Sequence, residues 1–431
     1  MVREMKTSVV AIFDVGKTNK KLFLFDENYR IVFEQNDTLP ETTDEDGYPC
    51  EDLDALSAWT KSAWQMVNML PEFAVKAVNF SGYGASFVHL DGDLKPITPL
   101  YNYLKPYPEA LQKQFYDTYG GQDAFAVATA SPVLGSLNSG MQLYRLKYEQ
   151  PAIFAQIKYS LHLPQYLSFL ISGQCTTDIT SIGSHTNLWD FQKNQYHDWV
   201  EKEGIAPKLP PIVYKLNHLN NKLDNQQITT GAGLHDSSAA LVPYLATFSE
   251  PFLLISTGTW SITLNAFSNA PLTIDELGKD CLNYLTFEGK AVKASRLFLG
   301  KEHEEGVEKL SKMFNKSNDY FKNVTFNAAF LTQNTPATFE GAYHQLVAQL
   351  VQKQVQAVYL AKGNTAVRRL FVDGGFSKNT IYMKLLASQF ADCEVYAASM
   401  AQASALGAAI VLHDSWNPKP LQNDLIELIR F

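Results

Sequence analysis

The chain has 431 residues, of which 46% are hydrophobic and 19% charged, and its formal net charge is −8. This composition excludes disorder, collagen and coiled coil as the main architecture, and the length predicts two or three domains. The negative charge provides no basic footprint for nucleic acid, and no apolar run approaches the roughly 18 residues that a membrane span needs.

The N-terminal segment and the cysteines both predict a cytoplasmic protein. The first apolar stretch, Val9–Phe13, is too short for a signal peptide and ends at the charged Asp14. The four cysteines lie far apart, with no CxxC pair, and therefore predict reduced thiols rather than disulfides or a zinc site. They are Cys50, Cys175, Cys281 and Cys393.

The opening of the chain predicts a β-hairpin. Two apolar runs, Ser8–Phe13 and Lys21–Phe25, flank the polar turn Asp14–Asn19. Ala74–Phe80 predicts a third strand. Four helices are predicted after it, over residues 106–121, 140–159, 161–171 and 197–204. Residues 220–227 predict an exposed polar connection, and residues 231–233 a hinge near the middle of the chain.

The middle of the chain repeats the opening. An apolar run, Pro251–Ser256, leads through the turn Thr257–Trp260 into a returning strand, Ser261–Asn265. The two glycine turns lie slightly more than half the chain length apart, which suggests two copies of one α/β domain. A helix over 339–362, a strand over 369–373, a strand over 394–397 and a helix over 401–413 complete the prediction.

Three strand ends that carry glycine could hold a nucleotide. The first, Gly16–Asn19, offers backbone N–H groups, hydroxyl and amide donors and a cation, which together can cradle phosphate oxygens. Thr257–Thr259 is a second donor-rich turn, and Gly374-Gly375 would let adenine or phosphate meet the backbone directly. The first turn is not a Walker loop, because Ala11 stands where that motif needs glycine. For each turn alone, an ordinary hairpin is the alternative.

Two further glycine pairs do not form a dinucleotide fingerprint. Gly82-x-Gly84 and Gly231-x-Gly233 are followed by Phe87 and Asp236 where the third glycine is needed. The sequence therefore argues against a nicotinamide-dependent dehydrogenase.

Two aspartates are candidates for chemistry. Asp236 stands at a predicted loop-to-helix junction, where it is either a helix N-cap or a general base that accepts a hydroxyl proton during phosphoryl transfer. Asp14, at the tip of the first strand, is a candidate to hold a metal ion through water.

Assembled in order, these segments resemble the FGGY family of carbohydrate kinases, within the actin-like ATPase fold. Gly-Thr-Trp-Ser and His-Asp-Ser are most similar to its rhamnulokinase branch, whose members phosphorylate a 6-deoxyketose at its primary O1. The stretches that carry the resemblance are Phe13–Thr18, Gly233–Ser237, Ser256–Ser261, Asp373–Asn379 and Ala403–Ala409.

The resemblance implies an α/β fold of two duplicated actin-like (RNase H-like) domains, residues 1–235 and 236–431, with a central cleft for ATP and sugar. It implies Mg²⁺ at Asp14 and Asp236, Asp236 as the general base, a small-molecule sugar as the substrate, and is compatible with a homodimer. The implied ATP-binding residues are Gly16, Lys17, Thr18, Asn19, Gly258, Thr259, Gly374, Gly375, Ser377 and Asn379. The implied sugar contacts are Tyr83, Gly84, Ala85, Ser86, His235 and Ser237.

Departures from the family pattern keep the acceptor open. Lys17, Asn19 and Lys21 differ from the usual first loop, Ser86 replaces an aspartate of rhamnulokinases, and Gln402 replaces a usual glutamate. L-Rhamnulose, L-fuculose, a pentulose and another polyol are all alternatives. A non-catalytic sugar or nucleotide sensor and an actin-like chaperone or filament protein are alternatives from other classes.

Overall fold

The computed structural model describes residues 6–213, 219–223, 226–332, 336–400 and 402–431. In the first half, the strands are β1 (Thr7–Val15), β2 (Lys20–Asp26), β3 (Ile31–Asp37), β4 (Glu41–Thr43), β5 (Pro49–Glu51), β6 (Phe73–Gly82), β7 (Phe87–Leu90), β8 (Tyr159–His162), β9 (Thr177–Asp178), β10 (Trp189–Asp190), β11 (Gln195–Tyr196), β12 (Ile212–Val213), β13 (Leu219–Leu223), β14 (Gln226–Thr230) and β15 (Leu234–His235). The helices are α1 (Leu53–Met69), α2 (Glu109–Thr118), α3 (Gln122–Thr129), α4 (Ser139–Glu149), α5 (Pro151–Gln156), α6 (Leu163–Ser172), α7 (Ile179–Ile182) and α8 (Asp198–Lys202).

The second half begins with a helix and carries a second set of strands. The helices are α9 (Asp236–Thr247), α10 (Ile274–Gly278), α11 (Leu299–Phe314), α12 (Phe339–Lys362), α13 (Thr380–Ser388), α14 (Ala403–Val411) and α15 (His413–Trp416). The strands are β16 (Phe252–Thr257), β17 (Ser261–Asn265), β18 (Cys281–Leu285), β19 (Ala291–Leu297), β20 (Arg369–Gly374), β21 (Glu394–Ser399) and β22 (Glu427–Arg430).

Two large sheets have corresponding strand orders when the second is read in the opposite direction. The first runs β13-β14-β6-β1-β2-β3, with β15 paired to the end of β6, and the second runs β18-β19-β17-β16-β20-β21-β22. In each sheet the opening hairpin is antiparallel, and its first strand then pairs in parallel with a strand from later in the chain: β1 with β6, and β16 with β20. The duplication predicted from the two glycine turns is therefore present in the backbone.

The first sheet is buried on both faces. Alternate residues of β1 point to opposite sides, so Val9, Ala11 and Phe13 pack towards α1 and α6. Val10 and Ile12 pack on the other side, against α14 from the far end of the chain. This double burial explains why β1 is a continuous apolar run. Helix α14 thereby joins the two halves of the molecule.

Several predicted segments differ in detail. The helix predicted over 140–159 is divided into α4 and α5, and it stops at Ile157 because the chain then enters β8. Residues 220–227, predicted as a connection, include backbone of the antiparallel pair β13–β14 at the sheet edge. Edge strands often carry polar residues, so the apolar–polar alternation that predicts a strand is missing from the sequence there. The four cysteines are free, and no helix of the described residues is both long and apolar enough to cross a membrane.

Candidate active site

Strand register brings the two candidate aspartates to one place. Asp14 of β1 and Leu234 of β15 both lie opposite Ser81 of β6, on its two sides. His235 is paired with the next residue, Gly82, and Asp236 follows as the chain leaves the sheet. The carboxyl ends of three parallel strands therefore converge, which is where open α/β sheets bind ligands.

Asp236 begins α9 but does not cap it. The N-cap residue is His235, and the Asp236 carboxylate accepts its bond from the adjacent backbone N–H of Ser237, at 2.6 Å. The Asp236 side chain is half-buried, and its Oδ1 lies 3.3 Å from Nε2 of His235. Burial lowers the pKa of His235, so this ring is neutral at pH 7. The carboxylate of Asp236 is therefore held in position by its neighbours, but it does not act as the N-cap acceptor of α9.

Asp14 lies in an unusual electrostatic environment. Burial and the charge of Asp236 raise its pKa to about 6, against the opposing effect of hydrogen bonds. The Oγ of Ser404 donates to both Asp14 oxygens, at 3.1 Å each. Two carboxylates that repel each other at a strand end suit a divalent cation that keeps its waters. The described residues contain no cluster of three or more histidine, cysteine or acidic side chains that would hold a metal alone.

The first glycine turn is tight and open to solvent at its tip. The N–H of Gly16 donates to the carbonyl of Asn19, at 3.0 Å, and the side chains of Thr18 and Asn19 are exposed. Lys17 pairs with the exposed Glu41, its Nζ lying 3.1 Å from Oε1. The turn thus has the free donors predicted for it, while its lysine already has an acidic partner.

The second and third glycine positions lie side by side. In the second turn the N–H of Gly258 donates to the carbonyl of Trp260, at 2.8 Å, and Thr259 is exposed. Gly374 is paired with Thr257 across β16 and β20 and has a φ of +87°. A Cβ on Gly374 would lie 1.9 Å from the carbonyl oxygen of Thr257, so only glycine fits there.

A pocket of about 570 Å³ opens beside these glycines. Its apolar wall contains Phe321, Val324, Tyr343 and Phe376, which suits a flat aromatic ring. Its complete lining is Gly258, Gly300, His303, Phe321, Lys322, Val324, Tyr343, Gly375, Phe376, Lys378, Asn379 and Thr380. Gly258, Gly375 and Asn379, all predicted from the sequence, therefore border one cavity.

Two predicted pocket residues also have structural contacts. Asn379 is the N-cap of α13, where its side-chain oxygen accepts from the N–H groups of Ile381 and Tyr382. The Asn379 amide also donates to the hydroxyl of Tyr343, at 2.8 Å. Ser377, close by, donates its hydroxyl to the carbonyl of Gly374, at 2.8 Å.

Of the predicted sugar residues, Gly84 lies directly against the ring of His235. Gly84 faces this ring so closely that a Cβ would lie 2.8 Å from its Cδ2, and Ala85 beside it has a φ of +64°. Ser237 is half-buried and donates to the Asp236 carboxylate, at 3.3 Å. Ser86 is fully buried and donates its hydroxyl to the carbonyl of Tyr101, at 3.0 Å.

The structure adds Tyr284 and Arg296 to the residues near His235, and neither was revealed by the motifs. The rings of His185 and Tyr284 lie 6.3 Å and 5.3 Å from that of His235. Arg296, buried nearby, is held by two hydrogen bonds to Asp280 and stacks over Trp260. Burial, followed by the charge of Arg296, lowers the pKa of His185 well below its ordinary range. No spacing in the sequence links these positions, because they come from separate strands and loops.

The sequence also contains an indication that Lys20, which lies beneath the first turn, is buried. Lys20 alternates with Leu22 and Leu24 on the core face of β2, and its side chain is buried. A lysine on an apolar face predicts a buried cation that needs an acidic partner. The partner itself, Glu51, could not be read from the sequence.

Comparisons with known proteins agree with this architecture. A sequence model of the N-terminal domain of the FGGY family of carbohydrate kinases matches residues 9–242, and one of the C-terminal domain matches residues 331–413. Among solved structures, a carbohydrate kinase from Novosphingobium aromaticivorans superposes with a TM-score of 0.80 at 23% identity, covering 99% of this chain and 94% of that one. A ligand-bound xylulose kinase from Lactobacillus acidophilus gives a TM-score of 0.80 at 16% identity, covering 98% and 93%.

Curated relatives are similar at low identity. A rhamnulokinase from Halalkalibacterium halodurans is 25% identical over 260 residues, which is 58% of this chain but only 54% of that protein. An L-fuculokinase from Escherichia coli K12 is 22% identical over 450 residues, covering 94% of this chain and 92% of that protein. The predicted fold class, two duplicated actin-like domains, is confirmed, and the chain belongs to the FGGY family of carbohydrate kinases.

Proposed function

We propose that this protein transfers the γ-phosphoryl group of ATP to a hydroxyl group of a ketose, with Asp236 as the general base. The observation that carries the proposal is the convergence of Asp14 and Asp236 at the carboxyl ends of neighbouring strands, between the first glycine turn and the ring of His235. In this proposal residues 1–235 supply the sugar site and the first phosphate loop. Residues 236–431 supply the base, the second phosphate loop and the adenosine pocket.

Phosphoryl transfer needs positioning and charge neutralisation more than covalent chemistry. The exposed N–H groups of the two glycine turns would bind phosphate oxygens, and the apolar pocket would bind the adenine ring. Asp236 would accept the proton of the attacking hydroxyl, while the neutral His235 ring keeps the carboxylate in place. Mg²⁺, held through Asp14 and Asp236, would neutralise phosphate charge when bound.

A primary hydroxyl of a ketose such as L-rhamnulose is the acceptor that we favour. The relatives named rhamnulokinase and L-fuculokinase support a 6-deoxyketose. The L-fuculokinase similarity extends over nearly the whole chain, so L-fuculose is the second candidate, ahead of a pentulose or another polyol. The Ser86 hydroxyl already donates to the carbonyl of Tyr101, so towards a sugar hydroxyl it can act only as an acceptor.

A coupled ADP-release assay tests the proposal. Mg·ATP is supplied with L-rhamnulose, L-fuculose, D- and L-ribulose, D- and L-xylulose and glycerol in turn. We expect one sugar to stand well above the rest, and Asp236→Asn to lower turnover by at least about 10²-fold, as expected for loss of a general base. ATP affinity, measured by calorimetry, should change less than about threefold, because Asp14 still holds the metal ion and the proton-accepting role of Asp236 concerns the sugar.

Asp54→Asn is the matched control, because Asp54 also lies in a first helical turn but is exposed and in α1. We expect it to keep wild-type turnover. Near-normal turnover in Asp236→Asn would contradict the assignment of the base. ATP binding without turnover on any sugar would favour the sensor alternative.

A further inference from the structure

A buried lysine lies directly under the first glycine turn. Lys20 is 2% exposed, and its partner Glu51 is 4% exposed. A buried ammonium group is costly unless its charge is paired and its N–H donors are all used. The contacts of Lys20 must therefore compensate for the burial of its charge.

All three donors of the ammonium group have partners. The Nζ of Lys20 donates to the carbonyl of Gly16, at 2.9 Å, and to the carbonyl of Lys17, at 3.1 Å. It also forms an ion pair with Oε1 of Glu51. Two of the three bonds thus hold consecutive peptide groups of the first phosphate loop.

Holding these carbonyls fixes the direction of the loop's N–H groups. In a planar trans peptide, the carbonyl and the following N–H point in opposite directions. With the carbonyls of Gly16 and Lys17 drawn inward to Lys20, the N–H groups of Lys17 and Thr18 are turned outward, towards the exposed tip of the loop. This is the orientation that phosphate binding requires.

Glu51 extends this contact towards the proposed sugar site. Its second oxygen accepts the hydroxyl of Tyr83, at 2.6 Å, and the backbone N–H of Tyr83 donates to the carbonyl of Val15, at 3.2 Å. The ring of Tyr83 lies 5.9 Å from that of Tyr103, and burial, together with the charge of Asp236, raises the pKa of Tyr103. The one proton of the Tyr83 hydroxyl is thus given to Glu51, so towards a sugar this oxygen can act only as an acceptor.

We propose that Lys20 is a positioning residue for ATP, that the buried contacts Lys20–Glu51–Tyr83 hold the first phosphate loop with its N–H groups facing the cleft, and that Tyr83 acts on ATP through this loop. The inference rests on the proposed kinase function. It concerns nucleotide affinity, which is measurable without turnover.

The test replaces both charges together, so that no unpaired ion is left buried. In the double variant Lys20→Met, Glu51→Gln, we expect the Kd for ATP, by calorimetry, and the KM for ATP to rise about tenfold or more, since several bonds to a charged ligand are weakened. The KM for the sugar should change less than about threefold. A Kd for ATP equal to that of the wild type would overturn the proposal.

The second half of the chain offers a matched control. Lys293, 3% exposed, forms an ion pair with Glu276 in that half, away from the two glycine turns. The double variant Lys293→Met, Glu276→Gln should leave the Kd for ATP within about twofold of wild type, because no phosphate loop rests on that pair. If it weakens ATP binding as much as the first double variant does, the effect is general destabilisation and the proposal fails.

A single hydroxyl provides an independent test if the double variant does not fold. Tyr83→Phe removes only the bond to Glu51, and we expect the Kd for ATP to rise about threefold, with a smaller change in the KM for the sugar. A larger effect on the sugar than on ATP would return Tyr83 to the sugar site and overturn this part. Absence of sugar-dependent ADP release in the wild type would reject the kinase, while the Kd comparison would still decide the role of Lys20.

Discussion

The two glycine turns occupy equivalent places in the two sheets, yet they are stabilised differently. The first turn is held from below by a buried side chain, Lys20, and from outside by the Lys17–Glu41 pair. The second is held by the neighbouring strand end: the N–H of Gly375 donates to the carbonyl of Thr257, at 3.1 Å, and the N–H of Phe376 donates to the hydroxyl of Thr257, at 3.0 Å. Duplication of a backbone therefore does not duplicate the interactions that rigidify it.

The aspartate and the serine at the paired strand ends also exchange places between the two halves. In the first sheet Asp14 on the hairpin strand faces Ser81, whereas in the second Ser256 on the hairpin strand faces Asp373. Asp373 accepts from the N–H of Gly374, at 2.7 Å, and from the hydroxyl of Tyr244, at 3.2 Å. Asp373 is thus engaged in holding the third glycine, while Asp14 lies near Asp236. This contrast predicts which aspartate matters for chemistry.

The largest effect should come from exchanging these two aspartates separately for asparagine. Asp14→Asn should lower turnover by about 10²-fold or more, because the proposed Mg²⁺ site loses a carboxylate. Asp373→Asn should mainly raise the KM for ATP, because it loosens Gly374 beside the nucleotide pocket. Steady-state kinetics with ATP and the preferred sugar distinguish the two, and equal losses of turnover would contradict the asymmetry.

The same Asp14 variant should be more stable than the wild type at pH 7.5. The folded-state pKa of Asp14, about 6, lies above the unfolded value of 3.8. The folded protein therefore holds a proton that the unfolded chain has lost between these values, and stability falls as the pH rises through this window. We expect the gain in melting temperature of Asp14→Asn to shrink as the pH falls from 6 towards 4, as thermal unfolding can measure. A gain independent of pH would refute the pKa assignment.

An intermediate effect should separate Gly374 from its neighbour Gly375. Gly374→Ala meets both a positive φ and the Thr257 carbonyl, so it should lower the free energy of unfolding by more than about 1 kcal/mol and weaken ATP binding. Gly375 has a φ of −62°, and a Cβ there meets nothing within 4 Å. Gly375→Ala should keep the stability of the wild type, as denaturant unfolding can check, and identical behaviour of the two variants would contradict the difference.

The smallest effect should come from Lys17. Its pair with Glu41 is partly exposed, and such pairs contribute about 1 kcal/mol or less to stability. Lys17→Ala should leave unfolding nearly unchanged and raise the KM for ATP about threefold, less than the loss of the buried Lys20. Glu41→Ala, which frees the lysine, should not raise that KM, and an increase larger than that of Lys17→Ala would contradict our interpretation of this pair.

Local pattern was enough to predict much of the fold. The opening strands, both glycine turns and the long helix Phe339–Lys362 follow from periodicity and turn residues that lie within a few positions of one another. The same is true of Asp236 at the start of a helix. The alternative that it is an N-cap was excluded only by the structure, because His235 occupies that position.

The sequence by itself determined the duplicated α/β organisation, the glycine turns and the positions of the two aspartates. Each of these can be recognised in a short stretch of sequence, from its apolar pattern or from its turn residues. Only the tertiary structure decided that Lys20 meets Glu51, that Asp14 meets Ser404, and that Lys21 donates to Gln402, at 3.1 Å. Such pairs are set by how strands and helices far apart in the chain pack together, and local periodicity does not encode which distant side chain satisfies a buried charge.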